Sequence, residues 1–265
     1  MIGRTVLTVL GSQLRNVMRS RWVVGYALLL LGITQLLLQF GGSGERALLS
    51  LLNVVLLLLP LMSVIFGTLY VYNAREFIEM LLAQPVGRGA LYTGIFGGLA
   101  IPMVGAFLFA VGLPLLIQGG GAPDFLRHCL MLLSAGSLLT MVYTALSLCV
   151  SVLIEDRARG LGAALMIWLL TAILYDGLVL LVTQVFASYP LEGPLLVLVF
   201  LNPIDLARVL LLLTFDNAAL MGYTGAVYEK FFHEGVGTLL AYGMLLLCTA
   251  VPLLVGLHWF RRKDF

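Results

Sequence analysis

The chain has 265 residues, of which 61% are hydrophobic and 11% charged, with a formal net charge of +2. Soluble domains are closer to half apolar and a quarter charged, so this composition excludes a water-soluble globule and makes lipid the solvent for most of the exterior. No basic patch with interleaved aromatics accompanies the small net charge, which excludes the usual nucleic-acid-binding pattern.

Residues 2–19 are predicted to form an amphipathic helix. Arg4, Thr8, Ser12, Arg15 and Arg19 fall on one face, and Val6, Leu7, Leu10, Leu14, Val17 and Met18 on the other. A helix of this kind lies along a membrane surface with its arginines near anionic lipid. Because arginines interrupt the segment Met1 to Ser20, it is not expected to act as a cleaved secretory signal.

A bilayer core takes roughly 20 apolar residues in helix. Six stretches meet that requirement: 22–40, 48–72, 91–117, 128–154, 161–187 and 236–260. They predict an all-α membrane protein with one six-span domain. Orientation follows from the basic residues. With the N-terminus inside, the inner side holds Arg4, Arg15, Arg19, Arg21, Arg75, Arg88, Arg157, Arg159, Arg261, Arg262 and Lys263, eleven in all; the outer side holds Arg46, Arg127, Arg208 and Lys230, four. Both termini are therefore expected in the cytoplasm.

The loop at 73–89 reads as a short, capped, rigid helix. Asn73 and Glu76 form a capping-box-like pair, Arg75 and Glu79 stand at i, i+4, and Phe77, Met80, Leu81 and Gln84 line another face. Pro85 stops the helix before Gly87, Arg88 and Gly89. A second short loop, Glu155 to Gly160 with Arg157 and Arg159, belongs to the same side.

Asp176 stands within span five between Tyr175 and Gly177. A carboxylate inside a membrane is costly and marks a functional or packing position. The segment 188–235 is expected outside the membrane on the periplasmic side. Its stretch 194–213 is long enough for a seventh span, but Asn202, Pro203, Asp205 and Arg208 occupy its centre. Proline breaks the helix and the charges oppose insertion, so two short helices meeting at Asn202–Pro203 are predicted, lying in or re-entering the outer interface.

Cys129, Cys149 and Cys248 all lie in apolar runs and include no C-x-x-C pair, so they read as small apolar residues rather than a disulfide framework. His128, Cys129 and Met131 are soft-metal ligand types, but helical spacing does not put all three on one side, and no metal site is expected. Gly94 and Gly98 form a G-x-x-x-G and Gly160 and Ala164 a looser small pair, suited to close helix packing. The sequence contains no phosphate-binding G-x-x-x-x-G-K-[ST] loop, no H-E-x-x-H and no G-x-S-x-G, so a self-contained enzyme is disfavoured.

Six spans, the helix at the second loop and the broken segment before span six resemble a type-2 ABC exporter permease. The residues carrying the resemblance are 81–91 (LLAQPVGRGAL), 175–181 (YDGLVLL), 200–212 (FLNPIDLARVLLL) and 260–262. The segment 202–208 together with Asp176 points to the branch that assists copper-site assembly of nitrous oxide reductase. The resemblance implies a homodimer in the bacterial inner membrane, bound to two copies of a separate ATPase that carries the ATP and magnesium, with no cofactor in this chain. It implies ATPase coupling through Asn73, Arg75, Glu76, Phe77, Glu79, Leu81, Arg88, Glu155 and Arg157. It further implies contact with a periplasmic β-helical NosD-like protein through Asn202, Pro203, Asp205 and Arg208. The implied cargo is a sulfur species or a mechanical signal. Export of a drug, lipid or polysaccharide, a scaffold role without transport, and an intramembrane enzyme using Asp176 are the competing readings.

Overall fold

A computed structural model describes residues 11, 17, 20–40, 44–82, 87–118, 123–186, 192–214 and 236–262. The described residues are helical almost throughout and contain no strand. The helices are α1 (Arg21–Phe40), α2 (Gly44–Asn73), α3 (Arg75–Leu82), α4 (Arg88–Phe107), α5 (Leu113–Gln118), α6 (Pro123–Leu153), α7 (Arg157–Leu169), α8 (Tyr175–Val185), α9 (Glu192–Leu201), α10 (Pro203–Thr214) and α11 (Val236–Arg262). Two π turns, Leu108–Gly112 and Leu170–Leu174, join α4 to α5 and α7 to α8.

Six stretches are long and apolar enough to cross a bilayer: Arg21–Phe40, Arg46–Asn73, Arg88–Ile117, Phe125–Leu153, Arg157–Val185 and Gly237–Arg262. They fall on the six predicted spans. The tempting seventh run is broken, with Gly193–Leu201 and Pro203–Leu213 meeting at 114°. Pro203 has no N–H to continue the ladder of α9 and fits the first turn of the next helix. Asn202 sits at the bend, where its Oδ1 accepts the Ile204 N–H at 3.2 Å and its carbonyl accepts the Leu206 N–H at 3.0 Å. The hairpin does not lie flat on the surface. α10 is buried along most of its length, packed on α6, α11 and α2.

α6 is the central helix of the bundle, packing on α2, α4, α10 and α11. It carries Ser134, Ser137, Thr140, Thr144, Ser147 and Ser151 at intervals of three or four residues. Each hydroxyl is satisfied on the carbonyl three or four residues before it, as with Thr140 on Gly136 at 2.9 Å and Thr144 on Thr140 at 2.7 Å. In lipid this internal bonding removes the cost of burying a hydroxyl and leaves a small side chain. Gly67 on α2 exploits it, because a Cβ there would overlap the Ser147 hydroxyl.

The predicted surface helix at 2–19 lies outside the described residues apart from Gly11 and Val17. Both are helical, and Val17 is buried with Leu99 and Met103. Gly94, Gly98, Gly160 and Ala164 are all buried within the subunit, on α4 and α7.

Candidate functional site

Two constellations gather the residues singled out from sequence. The first is at the end of the bundle where α3 and the 154–156 loop meet. α3 docks through Ile78, which is 3% exposed, with Leu81 and Leu82 beside it, against Val71, Leu91, Tyr92, Ile95, Leu148, Val152 and Phe260. Asn73 does not act as the expected free cap. It ends α2, and the ladder carries through the junction, with Ala74 N–H on Tyr70 O and Ile78 N–H on Ala74 O, both at 2.9 Å.

Arg75 makes the predicted i, i+4 pair, Nε to Glu79 Oε1 at 3.1 Å, and also donates from Nη1 to the Glu155 carbonyl at 3.2 Å. Beside it, Tyr72 Oη donates to the Ile154 carbonyl at 2.7 Å. Gly160 is required there, since a Cβ would overlap the Tyr72 hydroxyl and ring. Asp156 caps α7 by accepting the Arg159 N–H on Oδ1 at 2.8 Å. The two loops are thus stapled into one unit, enclosing a pocket of about 30 Å³ lined by Tyr72, Arg75, Ile78, Ser151 and Phe260 among others.

The outward face of this unit carries Asn73, Glu76, Phe77, Glu79 and Met80, with Glu155 exposed on the adjoining loop and Arg157 exposed at the start of α7. Phe77 and Met80 therefore separate from Leu81, which turns inward; Gln84 lies outside the described residues. Arg88 is placed elsewhere, its Nη1 donating to the Arg261 carbonyl at 2.8 Å. There it ties α4 to the C-terminal end of α11, where unsatisfied carbonyls favour a cation.

The second constellation joins the hairpin to span five. Arg208 Nη1 lies 2.7 Å from both carboxylate oxygens of Asp176 and 3.0 Å from Asp205 Oδ1. Asn202 Nδ2 donates to Asp205 Oδ2 at 2.9 Å and to the Thr171 carbonyl at 2.8 Å. Asn202 is 1% and Asp205 6% exposed, and Pro203 is likewise buried. These three thus face the subunit interior, and a partner on that side would reach only the part-exposed Arg208 and Asp176. One guanidinium serves two carboxylates, an arrangement that locks helices together and presents no nucleophile beside a base.

Tyr72, Thr171 and Tyr143 join these sites without having been singled out by the sequence, and Tyr175 was named there only as the neighbour of Asp176. Tyr143 Oη and Thr171 Oγ1 are 2.7 Å apart, and Tyr175 Oη donates to the Leu198 carbonyl at 2.7 Å. A hydroxyl-bearing aromatic in an otherwise apolar run was the available signal, since Tyr and Trp polar atoms find partners when buried.

The described residues form an all-helical bundle of six candidate spans, with a short helix presented between spans two and three, which defines a polytopic membrane protein. The chain belongs to the ABC-2 family of transporter proteins, matching it over residues 7–265. Membership makes it the permease component of an ABC transporter, a multi-pass inner-membrane protein that works with an ATPase partner. Among its relatives, the probable ABC transporter permease protein NosY of Pseudomonas aeruginosa is 27% identical over 234 residues, covering 82% of this chain and 85% of the relative. The protein of the same name from Stutzerimonas stutzeri is 26% identical over 275 aligned positions, covering 97% of this chain and 98% of that one.

Proposed function

We propose that this permease is a NosY-type subunit that assists copper-site assembly of nitrous oxide reductase. It works as a homodimer bound to two copies of a cytoplasmic ATPase, which holds ATP and magnesium. Both termini lie in the cytoplasm, in line with the eleven-to-four bias of basic residues. The two relatives, aligned over 82% and 97% of this chain, support the NosY reading.

The observation that carries the coupling part is the stapled unit of α3 and the 154–156 loop. It offers Glu76, Phe77, Glu79 and Met80 outward, while Tyr72 of α2 and Arg75 of α3 are bonded to the loop that leads into α7. Closure of an ATPase dimer against this face moves both loops together, so α2 and α7 tilt as one. The scant coverage of span five, with 6% of its most apolar stretch buried against 72% for span four, supports a second copy covering it. At the other end, a periplasmic β-helical NosD-like protein receives either a sulfur species or the conformational change itself.

The test is deletion of the gene in a nitrous-oxide-reducing host. The reductase is expected to accumulate without a fully assembled copper site, seen as a loss of bound copper and of copper-dependent visible absorption. Normal maturation would remove this role and favour export of a drug, lipid or polysaccharide by the same permease fold.

A further inference from the structure

Span five is not a plain helix. At Leu170–Leu174 it widens into a π turn, closed by the Tyr175 N–H on the Leu170 carbonyl five residues back. π turns are rare, occur mostly as single turns inside α-helices, and are frequent at functional sites. Here Tyr143 of α6 holds the Thr171 hydroxyl, and the remaining polar support among the described residues comes from the hairpin. Asn202 bonds the Thr171 carbonyl, the Leu198 carbonyl accepts from Tyr175, and Arg208 clamps Asp176. Three polar contacts, from α9, the bend and α10, therefore fall on residues 171–176.

The contacts of Tyr175 and Asp176 cannot survive a change of register. Conversion of the π turn to α-helix shifts the following residues by one position, rotating α8 by about 100° and moving it by about 1.5 Å. Tyr175 and Asp176 would leave Leu198 and Arg208 together. The π form and the docked hairpin thus require one another, which makes two discrete arrangements rather than a continuum.

We propose that the π turn of span five is a latch held closed by the hairpin, and that its conversion to α-helix releases α9 and α10 and uncovers the buried Asn202 and Asp205. The lever is already attached. α7 runs as an unbroken helix from Arg157 to Leu169, capped by Asp156 and stapled at Ile154 and Glu155 to α2 and α3. About 20 Å of helix thus connects the coupling face to the latch. Only the trigger, movement of that face by an ATPase, rests on the transporter reading above; the latch itself does not.

The experiment uses the full chain with its ATPase in lipid nanodiscs. The three native cysteines are replaced, and spin labels are placed at Leu178→Cys on α8 and Leu130→Cys on α6, both exposed positions. The native network is expected to give one distance. Asn202→Leu and Arg208→Met are expected to add a second, displaced by about 5 Å or more given a helix diameter of about 10 Å. Tyr175→Phe, which removes one contact without stranding a charge, serves if Arg208→Met fails to assemble, and is expected to populate the second distance partially. A single unchanged distance in all assembled variants overturns the latch. A second distance in the variants, but none when ATP is trapped on a bound ATPase, keeps the latch and overturns its coupling to the ATPase.

Discussion

Arg208 is the residue on which the outer half of the molecule depends. It stands between Asp176 and Asp205, whose side chains are 39% and 9% exposed, so its removal leaves two carboxylates facing each other with little water to solvate them. Breaking a buried pair in this way costs about 3–5 kcal/mol, and the partial exposure of Asp176 places this case toward the lower figure. Arg208→Met is therefore expected to lower the thermal midpoint of the purified permease well below that of Asp176→Asn, which keeps an oxygen to accept from the guanidinium and retains the Asp205 pair. Equal midpoints in a detergent melting assay would show that Asp176, not Asp205, carries the cost. Asp176 was legible as a residue of consequence because a carboxylate in an apolar run has no other reason to be there. Its partner was not, since Arg208 is 32 positions away and nothing in either local pattern names the other.

α3 shows how one short element divides its labour. Ile78 is buried among Val71, Leu91 and Phe260, while Phe77, one position earlier and about 100° around the helix, is 36% exposed. Ile78→Ala is expected to destabilise the isolated permease by about 2–4 kcal/mol through the cavity it leaves. Phe77→Ala is expected to change that stability by less than about 0.5 kcal/mol while weakening binding of the ATPase. Melting of the permease alone, set against its affinity for the ATPase, separates the two. The helix, its Arg75–Glu79 pair and its end before Pro85 follow from local chemistry and were readable in the sequence. The inward and outward arcs were not, because 77, 80 and 81 and 74, 78 and 81 both satisfy helical spacing, and only the neighbouring spans choose between them. The π turn at Leu170–Leu174 left no sequence mark either. It exists because Asn202, Tyr175 and Arg208 find partners when it forms, and those contacts belong to the fold.

At the scale of the whole molecule, six spans and a broken seventh run were legible because length, hydropathy and a proline between charges are strong one-dimensional signals. The central place of α6 was less so, although its six hydroxyl residues at helical spacing were in plain view; a stripe of Ser and Thr reads as polar until each hydroxyl is seen bonded to its own helix. The contacts at one end of the bundle agree with an even number of crossings: Arg75 reaches Glu155, and Arg88 reaches Arg261, bringing the second loop, the fourth loop and the end of α11 to one side. In a cysteine-free chain, Arg46→Cys is expected to react with a membrane-impermeant maleimide added to whole cells and Glu79→Cys only after lysis. The reverse pattern would invert the orientation.

The proposed grip of a separate ATPase is on the face formed by α3, the 154–156 loop and the start of α7. Co-purification of the ATPase with a Glu76→Lys, Phe77→Asp, Glu79→Lys triple variant tests it most directly, because these side chains point outward and the Ile78 anchor stays intact. The variant is expected to melt within a few degrees of the native permease yet to retain less than a tenth of the bound ATPase. An intact complex that hydrolyses ATP at the native rate would contradict the account.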